Sequence, residues 1–183
     1  MPILSDGSVL SNSDVLILDD AANGLTKTDG ENWMVIAGGG DDQIVMGDGV
    51  NLVFGGEGND SIVTGAGDDY IVGGRGSDRI SGGAGNDVLK GGAGTVLHNG
   101  VMDTFVFDRG AIGHDRIVDF EVGVDRLEFK VAELPGISSA SDIMGSLGSN
   151  ADGDAVFDFG ALGSITLEGV QAGQVDASSL LLV

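Results

Sequence analysis

The chain has 183 residues, the length of one domain or of one elongated domain with a cap. Its 29 acidic and 8 basic side chains give a net charge of −21, which makes nucleic acid and anionic membranes poor partners. There is no Cys, so disulfides and thiol chemistry are excluded, and no apolar run approaches the length of a membrane-spanning helix. The N-terminal residues show neither the basic start nor the apolar core of a secretory signal peptide.

Residues 1–36 predict an N-terminal β cap. Two β-type runs, at residues 15–18 and 33–36, are separated by a turn-rich stretch. Counting back by nine from Ile44 places Val35 in register with the repeat that follows, and Trp33 where that repeat has Asp or Asn. We therefore expect strands that cover the open edge of the next segment. Trp33 is either a buried cap residue, the more common role, or a sugar-stacking residue.

Residues 37–95 repeat with a period of nine, which indicates a solenoid. The units are AGGGDDQIV, MGDGVNLVF, GGEGNDSIV, TGAGDDYIV, GGRGSDRIS, GGAGNDVLK and the partial GGAGT, with Gly at positions two and four throughout. Position eight is always apolar: Ile44, Val53, Ile62, Ile71, Ile80 and Leu89. Position six is Asp42, Asn51, Asp60, Asp69, Asp78 and Asp87. A flexible Gly/Asp linker would not place an apolar residue at every ninth position.

This pattern predicts a half-turn followed by a short strand in each unit, because Gly allows tight backbone turns and the residues after position six are strand-like. Two units close one coil, so equivalent positions stack about 4.8 Å apart. The position-eight residues then form two inward ladders. The position-six residues form a first column, with Asp42, Asp60 and Asp78, and a second column, with Asn51, Asp69 and Asp87. Stacked carboxylates repel each other unless a cation lies between them.

Ca²⁺ suits this arrangement, because it takes six to eight carboxylate and carbonyl oxygens in flexible geometry, whereas Mg²⁺ requires a tighter octahedron. On these repeats the chain resembles the RTX proteins, a family of hemolysin-type calcium-binding repeat proteins, over about a third of its length. The resemblance implies an all-β fold, a right-handed parallel β-roll with two calcium columns. We expect the roll at residues 37–107, between a β cap at 1–36 and a C-terminal β cap at 108–183.

The resemblance also implies the ligands of each ion. These are the carbonyls of positions two and four and the position-six side chain of one turn, with the carbonyls of positions one and three and the position-six side chain of the next. The first-column sets are Gly38, Gly40 and Asp42 with Gly55, Glu57 and Asp60, and Gly56, Gly58 and Asp60 with Gly73, Arg75 and Asp78. The second-column sets are Gly47, Gly49 and Asn51 with Thr64, Ala66 and Asp69, and Gly65, Gly67 and Asp69 with Gly82, Ala84 and Asp87. The Asn51 set should be the weakest, because Asn51 brings no charge.

The repeat is interrupted at residues 96–102 and resumes at Asp103, in the run DTFVF. We expect Asp103 to act as a delayed position-six residue. A fifth set is then Gly74, Gly76 and Asp78 with Gly91, Ala93 and Asp103. About five Ca²⁺ ions would offset roughly half of the net charge, so folding and calcium binding should be a single equilibrium.

The C-terminal part predicts an antiparallel β cap. Residues 113–129 resemble the segment that ends the roll in RTX proteases and epimerases, and Asp115, Asp119 and Asp125 either bind a terminal ion or cap turns. Strand-like pieces occur at 155–159 and 164–167, with a short helix near 141–147. Six phenylalanines should supply a bulky core: Phe105, Phe107, Phe120, Phe129, Phe157 and Phe159.

The last nine residues, VDASSLLLV, are similar to the uncleaved C-terminal signal of substrates of type I secretion, and they also suit a last edge strand. The resemblance implies a protein of a Gram-negative bacterium that passes through the type I secretion machinery and folds outside the cell, where calcium is plentiful.

No catalytic constellation is evident, since the zinc-protease and lipase motifs are absent and His98 and His114 lie in Gly-containing turns without a nucleophile nearby. Three functions remain open. The favoured one is a secreted, monomeric calcium-binding protein or module without enzymatic activity. The alternatives are an extracellular polysaccharide-binding or adhesin module, and the non-catalytic C-terminal part of a larger secreted enzyme.

Overall fold

A computed structural model describes residues 14–92, 100–108 and 112–183. These residues form an all-β, parallel solenoid of about six turns with antiparallel strands near its C-terminus. Within the described residues, two sheets of nine and seven strands enclose one hydrophobic core. The predicted fold class, a parallel β-roll capped by antiparallel β structure, is confirmed.

The strands of each sheet alternate along the chain, as expected when each coil gives one strand to each sheet. The nine-stranded sheet has the spatial order β1 (Val15–Ile17), β3 (Met34–Gly39), β5 (Leu52–Glu57), β7 (Tyr70–Arg75), β9 (Val88–Gly92), β11 (Gly113–Ile117), β15 (Gly163–Gln171), β14 (Asp154–Asp158) and β13 (Leu147–Ser149). The seven-stranded sheet has the order β16 (Leu180–Leu182), β12 (Arg126–Phe129), β10 (Thr104–Phe107), β8 (Arg79–Ser81), β6 (Ser61–Val63), β4 (Gln43–Met46) and β2 (Gly24–Lys27). A short helix, α1 (Ala140–Gly145), lies between β12 and β13.

The two apolar ladders have the predicted register. Ile44 pairs with Ile62, and Ile62 with Ile80, in parallel strands. The second ladder consists of Val53, Ile71 and Leu89. All of these side chains are fully buried. Each therefore contributes about 1.5–3 kcal/mol of transfer free energy on burial, and the ladders hold successive coils together.

The N-terminal strands continue the same stacking. Strand β1 pairs with β3 and β2 pairs with β4, both in parallel, and Val35 lies opposite Val53 as the sequence predicts. The side chain of Trp33 is partly buried against the core. Its indole N–H donates to Asp29 Oδ1 at 3.0 Å, and Lys27 Nζ lies 4.0 Å from the ring centroid.

The interruption after the repeats does not break the register of the roll. Thr104 pairs with Arg79 and Phe105 with Ile80, so Asp103 precedes its strand as Asp78 precedes β8. Asp103 thus occupies, relative to its strand, the place that a position-six residue has in the repeat. Of the predicted insertion, the structure describes residues 100–102.

The C-terminal cap has the predicted elements. Strands β13, β14 and β15 are antiparallel, and α1 lies where the sequence favours a helix. Strand β16 pairs in parallel with β12, so the apolar tail is the edge strand of the seven-stranded sheet. Phe105, Phe129 and Phe157 are fully buried, and Phe107 stacks on Phe129 with 5.3 Å between ring centroids. The predicted phenylalanine core is therefore present.

Candidate metal centre

The glycines of the repeat allow adjacent coils to stack backbone against backbone. Gly56 and Gly58, at positions two and four, have φ of +121° and +119°, which favours Gly. A Cβ atom on either would overlap the carbonyl oxygen of Gly38 or Gly40 in the preceding coil. Larger residues at these positions would therefore force the coils apart.

Position one has a different role, because it borders the acidic column. A Cβ atom on Gly55 would collide with Asp60 Oδ2 and lie 2.5 Å from the carbonyl oxygen of Gly73. One carboxylate oxygen and one carbonyl oxygen, from neighbouring coils, thus face the same small space. Gly73, Gly82 and Gly91 border the Oδ2 atoms of Asp78, Asp87 and Asp103 in the same way.

The first column is a continuous chain of backbone-to-carboxylate hydrogen bonds. The N–H of Asp42 donates to Asp60 Oδ1 at 2.9 Å, and the N–H of Asp60 donates to Asp78 Oδ1 at 2.8 Å. Asp78 and Asp103 continue the chain, each donating to the Oδ1 of the next Asp, at 2.8 and 2.9 Å. One oxygen of each carboxylate is therefore used to hold the previous coil.

The second column repeats this arrangement on the other edge of the roll. The N–H of Asn51 donates to Asp69 Oδ1 at 2.7 Å, and the N–H of Asp69 donates to Asp87 Oδ1 at 2.9 Å. The N–H of Asp87 donates to Asp115 Oδ1 at 2.9 Å. Both predicted columns are thus present as stacked side chains.

Five of these carboxylates have a second oxygen that is left without a hydrogen bond. Within the described part of the chain, the buried side-chain oxygens that lack a partner are Ser179 Oγ and the Oδ2 atoms of Asp42, Asp60, Asp69, Asp78 and Asp87. An unpaired buried charge is strongly unfavourable. The columns therefore present unpaired carboxylate oxygens at regular intervals. Oxygen atoms of this kind are the ligands that Ca²⁺ prefers.

Burial raises the pKa of four column carboxyls, those of Asp60, Asp69, Asp78 and Asp87. The pKa of Asp78 rises to about 8 and that of Asp87 to about 9, mainly by desolvation and further through the neighbouring carboxylates. The pKa values of Asp60 and Asp69 rise to about 6 for the same leading reason. The columns thus disfavour their own negative charge unless a positive charge compensates it.

The predicted ligand sets stack as pairs of adjacent turns. Gly38 pairs with Gly56, Gly56 with Gly74, and Ala66 with Ala84. The side chains of Glu57 and Arg75 form an exposed ion pair at 3.2 Å. The carbonyl oxygen of Arg75 accepts the N–H of Gly58 at 2.8 Å. Ala93 lies outside the described residues.

The predicted calcium sites consist mainly of backbone carbonyl groups. No cluster of three or more His, Cys, Asp or Glu side chains suited to a metal ion occurs in residues 14–92, 100–108 and 112–183. The predicted sets use instead two position-six side chains and four carbonyl oxygens. In addition, the Thr64 hydroxyl donates to the carbonyl oxygen of Gly82 at 2.6 Å, so a side chain reaches one of the predicted ligands.

The structure distinguishes between the acids that follow the repeats. Asp119 accepts from the N–H groups of Gly91 and Gly92, at 3.0 and 2.9 Å, and caps that turn. Asp125 also uses both oxygens, accepting from Asp103 and from Glu121 at 2.9 and 2.8 Å. These two carboxylates therefore cap backbone groups.

Asp115 belongs to the second column, a role that the sequence reasoning did not assign. A degenerate repeat unit, GAIGHDRIV at residues 110–118, was the available signal, since it keeps Gly at position four, Asp at position six and Ile at position eight. Burial raises the pKa of Asp115 to about 8. Asp115 is therefore a further candidate ligand, stacked on Asp87.

Position five forms an outer polar ladder that also went unpredicted. Asn59 donates its N–H to Asp41 Oδ1 at 2.7 Å, and Ser77 donates to Asn59 Oδ1 at 2.9 Å. Asn86 and Asp68 are related in the same way on the other edge, at 2.8 Å. The frequent Asp, Asn and Ser residues at position five of the repeat could have predicted this ladder. They join adjacent turns without contributing to the columns.

The comparison with known families agrees with this geometry. The family model of the RTX calcium-binding nonapeptide repeat, which spans four copies, matches residues 45–80 and 72–95. These residues therefore form RTX calcium-binding repeats, as the sequence indicated. RTX repeat domains are generally non-catalytic modules. No curated protein sequence matches the chain significantly.

Several solved structures are similar to this chain. The AlgE6R3 subunit of the Azotobacter vinelandii mannuronan C5-epimerase shares 22% identity over 99% of this chain and 85% of that chain, with a TM-score of 0.39. The AlgE6R2 subunit of the same enzyme shares 23% identity over 94% of each chain, with a TM-score of 0.45. The extracellular lipase LipA of Serratia marcescens shares 18% identity over 98% of this chain but only 41% of that chain, with a TM-score of 0.41. In the described residues, no helix has the length and apolar character needed to span a membrane.

Proposed function

We propose that the chain is a calcium-binding module whose roll, at residues 37–107, folds when Ca²⁺ ions occupy its two columns. The observation that supports this most directly is the row of buried Oδ2 atoms without hydrogen bonds at Asp42, Asp60, Asp69, Asp78 and Asp87. Bound Ca²⁺ would supply the positive charge that these carboxylates lack. The module would have no catalytic role.

The proposed ligands in the first column are three stacked sets. They join Asp42 to Asp60, Asp60 to Asp78, and Asp78 to Asp103, together with the carbonyls of the intervening turns. In the second column we propose one set between Asp69 and Asp87, and a further one between Asp87 and Asp115. The last set is supported by the hydrogen bond from Asp87 to Asp115 at 2.9 Å and by the unpaired Asp87 Oδ2.

We further propose that calcium binding is coupled to secretion. A chain with a net charge of −21 opposes its own compaction where calcium is scarce, and it could then pass through the type I secretion machinery unfolded. Outside the cell, calcium would drive folding. The apolar tail would carry the secretion signal and also form strand β16.

The tail's two roles can be separated experimentally, because β16 has two side chains that pack against the core and one that is exposed. Leu180 and Leu182 pack against the core, whereas Leu181 is 44% exposed. If the tail is a signal, Leu181→Ser should reduce secretion without lowering the melting temperature of the purified, calcium-loaded protein. Secretion at the wild-type level in both Leu181→Ser and a deletion of residues 180–183 would contradict the secretion proposal.

Calcium-dependent folding is tested by far-UV circular dichroism while Ca²⁺ is titrated into chelator-treated protein. We expect a cooperative rise of β signal with Ca²⁺ and none with Mg²⁺ at the same concentration, because Mg²⁺ dehydrates reluctantly and needs an octahedral site. A chain that is already fully folded in chelator would show that the ladders and caps suffice without ions.

A further inference from the structure

Each column begins with an Asn instead of an Asp. Asn23 precedes Asp42 in the first column, and its N–H donates to Asp42 Oδ1 at 2.7 Å. Asn51 precedes Asp69 in the second column, and its N–H donates to Asp69 Oδ1 at 2.7 Å. The two Asn residues therefore occupy position six in the coil before the first Asp of each column.

The side-chain amide of Asn51 contacts the groups that an ion would need. Its Nδ2 atom lies 3.4 Å from the Gly47 carbonyl oxygen and 3.0 Å from that of Gly49. The same nitrogen lies 3.1 Å from Asp69 Oδ1. These are three of the six groups in the set expected around Asn51 and Asp69. The amide already satisfies them as a hydrogen-bond donor.

Asn23 makes the same two kinds of carbonyl contact. Its Nδ2 atom donates to the carbonyl oxygen of Asp19 at 3.3 Å and to that of Ala21. Its third contact is to Asp19 Oδ1 at 3.2 Å, in its own turn, and not to the next Asp of the column. These carbonyls lie four and two residues before Asn23, the same spacing as Gly47 and Gly49 have from Asn51. The turn at Asn23 has Asp and Ala where the repeat has Gly. The amide contacts therefore come from the Asn and do not depend on the glycines of the repeat.

An amide and a cation cannot both occupy this position. The Nδ2 protons carry a partial positive charge and point at the carbonyl oxygens, whereas a Ca²⁺ ion requires the same lone pairs at 2.3–2.6 Å. An Asp side chain has no proton to donate when ionised, so an Asp turn leaves those carbonyls to a cation. The identity of position six thus decides whether a turn is closed by a hydrogen bond or by an ion.

We propose that the Asn51 and Asn23 amides replace the first ion of each column, so that the N-terminal ends of both columns are closed without calcium. This inference rests on the proposed function, since it presupposes ions at the Asp turns. The set of Gly47, Gly49 and Asn51 with Thr64, Ala66 and Asp69 then holds no ion. Calcium is confined to the coils that follow, and the first coils offer them a preformed edge.

The test counts bound ions by native mass spectrometry of the full chain at saturating Ca²⁺, with circular dichroism to verify folding. Asn51→Asp removes the amide donor and adds a carboxylate, so it should bind one ion more than the wild type. Asn51→Ala removes the amide without adding charge, and no ion should be lost. The converse variant, Asp42→Asn, places an amide in the first Asp turn and should bind one ion fewer.

The outcomes separate this inference from the function on which it rests. A wild type that binds no Ca²⁺ would refute the calcium function itself. A wild type that binds Ca²⁺, together with Asn51→Asp at an unchanged count or Asn51→Ala with one ion fewer, would overturn the inference alone. If Asn51→Asp fails to fold, the count of Asn51→Ala still decides, because an ion held by the Asn51 carbonyl oxygen would be lost with that side chain.

Discussion

At the scale of single residues, position one decides how much space remains beside a column carboxylate. At Gly55 the missing side chain leaves room for Asp60 Oδ2 and the Gly73 carbonyl oxygen, 2.5 Å from where a Cβ atom would lie. At Thr64 a hydroxyl fills the same position and bonds to the Gly82 carbonyl. The size and polarity of the residue at position one therefore determine whether the space beside the column is left open or is filled by a side chain.

Gly55→Ala tests this spacing. The new Cβ atom would displace Asp60 Oδ2, and overpacking of this kind costs about 1–3 kcal/mol in addition to weaker calcium binding. Gly24→Ala is the matched control, because nothing lies within 4 Å of its Cβ position, and its free energy of unfolding should change by less than about 0.5 kcal/mol. Urea unfolding in calcium measures both. Equal effects of the two variants would contradict the steric role of position one.

The carboxylates in mid-column should matter more than those at the end. Asp60 and Asp78 each belong to two proposed sites, whereas Asp42 belongs to one. Replacing any of them by Ala leaves a backbone N–H without its acceptor, which costs about 1–3 kcal/mol in each case. Beyond this common loss, Asp60→Ala and Asp78→Ala should raise the calcium midpoint of folding at least about tenfold more than Asp42→Ala does. Equal midpoints in a circular dichroism titration would contradict shared ions.

At the scale of elements, each of the two columns contains buried carboxyls that resist ionisation. The pKa is raised to about 6 at Asp60, about 8 at Asp78 and about 9 at Asp87, chiefly by burial. A raised pKa means that the folded state binds protons more tightly than the unfolded chain, whose Asp residues titrate near pH 4. Protons and calcium ions should therefore compete for the same carboxylates.

The calcium-free protein should consequently be most stable in acid. Its stabilisation by protonated column carboxyls is fully present below about pH 4 and is lost as the pH rises through about 6 to 9. Circular dichroism at increasing pH, in metal-free buffer, should show this loss of β structure. Calcium-saturated protein is the control and should stay folded above pH 7, with protons released as calcium binds. A calcium-free protein that gains β structure with rising pH would contradict the raised pKa values.

The sequence predicted the parts of the fold that follow from the nine-residue repeat. The apolar ladders follow from the period of nine, and Val35 was placed by counting back from Ile44. The sequence named Asp115 as either a ligand of a terminal ion or a turn cap, but it did not place Asp115 in the second column, because its repeat unit lacks the Gly at position two. The contacts of Asn51 were also beyond sequence reasoning, since the direction in which an amide points depends on the turn stacked beside it. Pairing across coils, in general, joins residues 18 or more positions apart.

At the scale of the whole molecule, folding should change the dimensions of the chain greatly. A net charge of −21 opposes compaction until bound Ca²⁺ reduces it. Small-angle X-ray scattering should show a radius of gyration falling from about 45 Å in chelator towards about 16 Å in calcium. Sodium chloride at matched ionic strength is the control, because screening alone fills no column. Equal compaction by salt would indicate that general charge neutralisation, without specific sites, is sufficient.

The spacing between stacked carboxylates along the chain is not constant. Asp60 and Asp78 are 18 residues apart, Asp78 and Asp103 are 25 apart, and Asp87 and Asp115 are 28 apart, yet each pair makes the same hydrogen bond. The length of chain between the turns is thus independent of the stacking. The segment before Asp103 is therefore a natural place to graft a foreign peptide, and evolution could lengthen this coil without rebuilding the protein.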